Sequence, residues 1–177
     1  MSHLTQIPAS RRAFLGLAAG GLALAAAGAP AQAAKVRTSA RIVILGAGAA
    51  GTALANRLVE RLEGASITLI DGRKQHLYQP GFTLIAAGLK PGDYSVSDTG
   101  GWLPKGASWI EEPAAEIDPE AKIVTTASGQ KVAYDYLIVA TGLKLDYDQI
   151  EGMSLDLVGR EGIGSVYAGP DYAAKTW

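Results

Sequence analysis

Residues 41–51 read RIVILGAGAAG, and the reading of this stretch decides the fold. Ile42, Val43, Ile44 and Leu45 form an uninterrupted apolar, β-branched run that leads straight into Gly46, Gly48 and Gly51. An apolar run with no alternation is the pattern of a parallel strand buried on both faces. The glycines are spaced G-x-G-x-x-G. Beyond them Ala50, Ala53, Leu54, Leu58 and Leu62 recur at helical spacing, which predicts a helix over 49–63 closed by Gly64. Ile67–Ile70 is a second buried strand, and it ends at Asp71. Strand, glycine turn, helix and strand together make a βαβ unit, so the fold class is α/β and Rossmann-type.

Each glycine has a separate duty in such a turn. Gly46 permits the tight bend, Gly48 lets a pyrophosphate approach the backbone, and Gly51 allows the helix to pack closely on the strand. Ala47, Ala49 and Ala50 fill the variable positions and leave that approach open. Ala55 keeps the helix face small where it crosses the sheet. The helix N-terminus offers free N–H groups and a partial positive charge to the phosphates. Asp71 is placed to accept hydrogen bonds from both ribose hydroxyls, and its charge disfavours a 2′-phosphate.

Further along, GRKQHLYQP (72–80) reads as a loop, 82–88 as a short helical turn and 90–101 as a Gly-, Ser- and Asp-rich loop. Short strands are expected at 109–111, 115–117, 122–126 and 131–134, with turns at Asp118-Pro119 and Ser128-Gly129. Such a run is an antiparallel meander. It leads into YDYLIVATG (134–142), an apolar strand closed by Ala140, Thr141 and Gly142. Beyond Gly142 no clear element is legible. Nicotinamide dehydrogenases with one βαβαβ fold reach their next strand through helices. A strand ending in Ala-Thr-Gly and reached through a meander is the pattern of flavoproteins of the glutathione-reductase type, which favours FAD.

Composition narrows the class further. The 177 residues carry a formal net charge of −1, so no basic field argues for nucleic acid. There is no cysteine and there are two histidines, His3 and His76, so neither a thiolate nor a histidine-rich metal site is expected. Near the start, Arg11-Arg12-Ala13-Phe14-Leu15 precedes an uncharged stretch rich in Ala, Gly and Leu, then Pro30 and Ala31-Gln32-Ala33. This is the organisation of an export signal, similar to twin-arginine signals. It implies a periplasmic protein carried by the twin-arginine machinery. Cleavage there would remove Arg11 and Arg12 and no acidic residue, leaving the chain two charges more acidic.

From Ile42 to Trp177 the sequence resembles the N-terminal part of the sulfide:quinone oxidoreductase family, among flavoproteins with two dinucleotide-binding domains. The resemblance rests on HLYQPGFTL (76–84), Trp109-Ile110, Leu145-Asp146-Tyr147, Ile150-Glu151-Gly152, Gly164-Ser165-Val166-Tyr167 and Lys175-Thr176-Trp177. It implies a Rossmann-type FAD domain with a meander insertion, sulfide and quinone as substrates, and membrane contact through a C-terminal part. Carried over, Gly46, Gly48, Ala49, Ala50 and Gly51 would hold the pyrophosphate, and Asp71 with Gly72 the adenosine ribose. Ala114 would lie near adenine, and Ala140, Thr141 and Gly142 would touch the cofactor from the second motif. Tyr78, Gln79 and Pro80 would face the flavin.

The family's redox cysteines and its later Gly-Asp segment would fall after Trp177, so no catalytic residue is expected within this chain. The expected organisation is a signal at 1–34, a linker at 35–40, an FAD-binding portion at 41–145 and the start of a connection to a second domain at 146–177. On this reading the piece alone is inactive. The alternatives are the flavoprotein subunit of flavocytochrome c sulfide dehydrogenase, a nicotinamide:quinone or persulfide-handling relative, and a non-catalytic dinucleotide-binding fragment. YQPGF stands where the flavocytochrome subunit has a cysteine, which favours the quinone-linked family.

Overall fold

The computed structural model describes residues 34–177. The export-signal reading lies outside the described residues. A compact unit spans Lys35–Trp177. Its strands are β1 (Val36–Arg37), β2 (Arg41–Leu45), β3 (Leu62–Glu63), β4 (Ser66–Ile70), β5 (Gln75–Leu77), β6 (Val96–Asp98), β7 (Ser108–Ile110), β8 (Ala114–Asp118), β9 (Ile123–Thr126), β10 (Lys131–Ala133) and β11 (Tyr136–Val139). Its α-helices are α1 (Ala49–Arg61), α2 (Phe82–Ala86) and α3 (Pro170–Thr176).

Four strands form an all-parallel sheet in the order β11-β2-β4-β7. Because successive residues point to opposite faces, the unbroken apolar run of β2 serves two cores. Ile42 and Ile44 join Ala47, Ala55, Ile67 and Leu69 beneath α1, where Leu54, Leu58 and Val59 cover them. Val43 and Leu45 join Ile70, Val124 and Tyr134 on the other face, beneath the meander. Ala55 is fully buried at the crossing of helix and sheet, as its size requires. This unit is therefore layered as helix, parallel sheet and antiparallel meander. At the N-terminal edge of the sheet, Asp135 takes Arg41 in a two-pronged ion pair (2.7 Å for Nη2 to Oδ1) and also accepts the Arg41 N–H.

Several expectations are corrected. The linker at 35–40 contains β1, which pairs in parallel with β3, and β3 takes the last two residues of the expected helix. Glu63 thus lies in a strand because the chain turns extended at Leu62, the C-cap of α1. The stretch around Trp109 is not part of the meander. It is β7, a parallel partner of β4, with Leu69 opposite Trp109, and the meander is the three-stranded β8-β9-β10. The loops at 72–80 and 90–101 contain β5 and β6, which pair antiparallel with His76 opposite Ser97. The segment after Gly142 ends in α3, whose Ala173 packs on Phe82 and Ile85 of α2. Thr176 ties α3 down by accepting the Ser165 N–H at 2.9 Å.

Candidate functional site

The glycine turn sits at the C-terminal ends of the parallel strands, where open α/β sheets bind ligands. The Gly46 N–H donates to the Ile70 carbonyl at 2.9 Å, so the turn is fastened to the end of the neighbouring strand. Gly46 has φ +102°, a conformation that favours glycine, and a Cβ there would lie 2.3 Å from the Ala140 carbonyl oxygen. A Cβ on Gly51 would lie 1.9 Å from the Gly46 carbonyl oxygen. Both positions are closed by backbone. Gly48 differs, because a Cβ there meets nothing within 4 Å. Its surroundings are open space at the N-cap of α1, where no side chain caps the first-turn N–H groups. The turn is thus closed by backbone at the first and third glycines and open at the second.

Two cavities meet at this turn. One, of about 530 Å³, is lined by Leu45, Gly46, Asp71, Gly72, Ala114 and Thr141 among others. The second, of about 410 Å³, is lined by Gly48, Ala49, Ala50, Gln79, Pro80, Ala140, Thr141 and Gly142 among others. Asp71, Arg73 and Thr141 line both. The first cavity joins the sheet to the meander, since Ala114 opens β8. Gly72 makes that junction possible: a Cβ would press on Pro113 Cδ at 3.1 Å.

Asp71 is the electrostatic centre. Its side chain is 8% exposed. The Ala47 N–H donates to Oδ2 at 2.7 Å and the Arg73 N–H to Oδ1 at 2.9 Å. Arg73 also folds back on the carboxylate, with Nε 3.0 Å from Oδ1 and Nη2 2.8 Å from Oδ2. Burial pushes the Asp71 carboxyl up, but the Arg73 guanidinium and the two backbone donors outweigh it and hold it below the usual carboxylate range. Asp71 therefore stays ionised and couples the glycine turn to the end of β4.

Most residues expected at the site converge on these two cavities: Gly46, Gly48, Ala49, Ala50, Asp71, Gly72, Gln79, Pro80, Ala114, Ala140, Thr141 and Gly142. Gly51 is buried behind the turn and serves packing. Tyr78 goes elsewhere. It lines a third cavity of about 780 Å³ with Tyr94 and Trp102, which adjoins the second through Ala49 and His76. Sequence reasoning missed Arg73, which lies two residues past the ribose-type acid, where a positive charge was the available signal. It also missed Thr99, whose hydroxyl donates to the Arg73 carbonyl at 3.0 Å and fixes that stretch of backbone.

The geometry has close relatives among known proteins. The model of the pyridine nucleotide-disulphide oxidoreductase family matches residues 40–167. The mitochondrial sulfide:quinone oxidoreductase of Mus musculus is 35% identical over 135 residues, covering 76% of this chain and 29% of the relative. The crystal structure of sulfide:quinone oxidoreductase from Aquifex aeolicus superposes with a TM-score of 0.60 at 30% identity, covering 77% of this chain and 30% of that one. The NADH-rubredoxin oxidoreductase of Clostridium acetobutylicum is 36% identical over 107 residues, covering 59% of this chain and 28% of the relative. The chain thus spans about 30% of the length of such relatives. With more than half its length matched by the family model, the chain belongs to the pyridine nucleotide-disulphide oxidoreductase family.

Proposed function

We propose that the chain is the FAD-binding portion of an enzyme of sulfide:quinone oxidoreductase type. The observation that carries the reading is the open backbone at Gly48, flanked by Asp71 on one side and by Thr141 and Gly142 on the other. The residues present fit an extended dinucleotide. Gly48 and the uncapped first turn of α1 would hold the pyrophosphate, Asp71 the ribose, and Pro113 with Ala114 the adenine. Gln79, Pro80 and Gly142 would bound the flavin end. Bound FAD would supply two-electron chemistry, taking electrons from sulfide and passing them to a quinone. This chain's own part is to bind and orient that cofactor.

The similarity to sulfide:quinone oxidoreductases from both an animal and a bacterium supports sulfide as the donor. Similarity to an NADH-rubredoxin oxidoreductase supports a second reading, in which a nicotinamide is the donor. We also infer from Arg11-Arg12 and the apolar stretch behind them that the protein is exported by a twin-arginine route.

One preparation tests all three. The intact reading frame is expressed with its N-terminus, and the periplasmic fraction is purified and its visible spectrum recorded. A flavin band bleached by sulfide and not by NADH is the expected result. Bleaching by NADH alone would replace the first reading by the second, and a colourless protein would remove both. Arg11→Lys with Arg12→Lys should leave the protein in the cytoplasm, and unchanged export would remove the localisation.

A further inference from the structure

The sequence assigns Asp71 to ribose recognition, yet the structure shows that carboxylate already engaged. Two carboxylate oxygens offer about four acceptor sites. Four N–H groups take them: those of Ala47 and Arg73 in the backbone, and Nε and Nη2 of the Arg73 side chain. The ribose hydroxyls therefore have no free acceptor until a donor leaves. Neither backbone donor can leave. The Ala47 N–H belongs to a turn fastened by the Gly46-to-Ile70 bond, and the Arg73 backbone is held by the Thr99 hydroxyl. The Arg73 guanidinium is free to move, with its side chain 61% exposed.

Arg73 also occupies a particular place. It lines both the cavity beside Ala114 and the cavity beside Gly48. Among the described residues lining either cavity it is the one Lys or Arg. A pyrophosphate seated at the N-terminus of α1 would otherwise meet only backbone N–H groups and the helix dipole.

From these facts, and resting on the reading of this site as one for an ADP-containing cofactor, we propose that Arg73 is a switching counter-ion. It pairs with Asp71 before a nucleotide binds and transfers to the phosphate when the ribose hydroxyls take the carboxylate. The exchange makes recognition of the two parts interdependent. A nucleoside without phosphate must break the Arg73–Asp71 pair and gains no new partner for the guanidinium. A nucleoside diphosphate breaks the same pair and replaces it with a charge-assisted bond. The site therefore selects phosphorylated over bare nucleosides by more than the phosphate's own contacts with the helix.

The test titrates adenosine and ADP by calorimetry into the full-length protein stripped of bound nucleotide. The protein is wild type, Arg73→Met or Arg73→Lys. Arg73→Met keeps the aliphatic stem and frees the carboxylate. It should bind adenosine more tightly than wild type and ADP about tenfold more weakly, so that the ratio of the two affinities falls sharply. Arg73→Lys keeps the charge and should preserve most of the wild-type ratio. An unchanged ratio in Arg73→Met, with wild type binding ADP, would overturn the switch and leave the site reading intact. Equal weakening of both ligands would also overturn it, leaving Arg73 as a prop for Asp71. Failure of wild type to bind ADP at all would overturn the site reading and the switch together. Should Arg73→Met fail to fold, wild type decides. ADP affinity should fall with added salt more steeply than helix contacts alone require, and Arg73→Lys should share that slope.

Discussion

The two ends of the site are built differently. At one end the glycine turn is closed by backbone on two sides, and Asp71 is buried and hydrogen-bonded on both oxygens. At the other end Gln79, Pro80, Thr141 and Gly142 are exposed, and Tyr78 lines a neighbouring cavity. Preorganisation among these residues is concentrated at Asp71 and the glycine turn, and Gln79, Pro80, Thr141 and Gly142 form an exposed rim.

The largest expected effect breaks the rigid end. Gly51→Val would place side-chain atoms against the Gly46 carbonyl, and the mutant should lose several kcal/mol of stability. A thermal melt without a cooperative transition is the expected result. Gly48→Ala is the counterpart at the open position. There the backbone angle suits alanine and the space is empty. Its melting temperature should stay within a few degrees of wild type while cofactor affinity falls at least about tenfold, because the methyl occupies the phosphate's approach. If both variants lose stability alike, the distinction between closed and open glycines is wrong.

A smaller loss is expected from Asp71→Asn, which keeps the shape but removes the charge that the ribose hydroxyls would address on the proposed reading. Hydrogen bonds to a charged group contribute about 1.5–3 kcal/mol, so affinity for the cofactor should drop roughly ten- to hundredfold. The smallest effect belongs to the rim. Gln79→Ala should change cofactor retention by less than about threefold, since exposed contacts are worth little. A larger change than that of Asp71→Asn would reverse the comparison between the two ends.

Away from the site, Asp135 supplies a pH prediction. The Arg41 guanidinium and backbone N–H lower its carboxyl from the ordinary 3.8 to about 2. A carboxyl lowered in the folded state contributes stability that is present above the ordinary value and lost as pH falls through the lowered one. The melting temperature should therefore decline between about pH 4 and pH 2, and Asp135→Asn should make that decline shallower. An unchanged profile would mean that the pair at the start of β2 does not couple folding to protonation.

How much of this was legible in the sequence depended on how local each signal was. The strand–turn–helix–strand of residues 41–70 could be read because every contact that matters lies within one unit: Ile44 under Ala55, Gly51 against Gly46. The position of β7 could not, because Trp109 looks the same whether it pairs with a meander strand or, as it does, with Leu69. The β5–β6 hairpin was missed for a similar reason. Its strands are three residues long and begin or end in polar groups, and they are held by pairing across the 18 residues between Leu77 and Val96. Helix α3 is seven residues, too short to be stable alone, and its existence rests on Ala173 meeting Phe82 and Ile85. At the site, glycine spacing and a strand-terminal acid pointed to the turn and to Asp71 beside it. The Arg73 guanidinium folding back on Asp71 is a side-chain geometry that no spacing encodes.

The identity of the cofactor decides the function. The most direct measurement is to denature the purified full-length protein and identify the small molecule released, by absorbance and mass. FAD in near-stoichiometric amount is the predicted result. NAD in its place, or protein released with no dinucleotide at all, would contradict it.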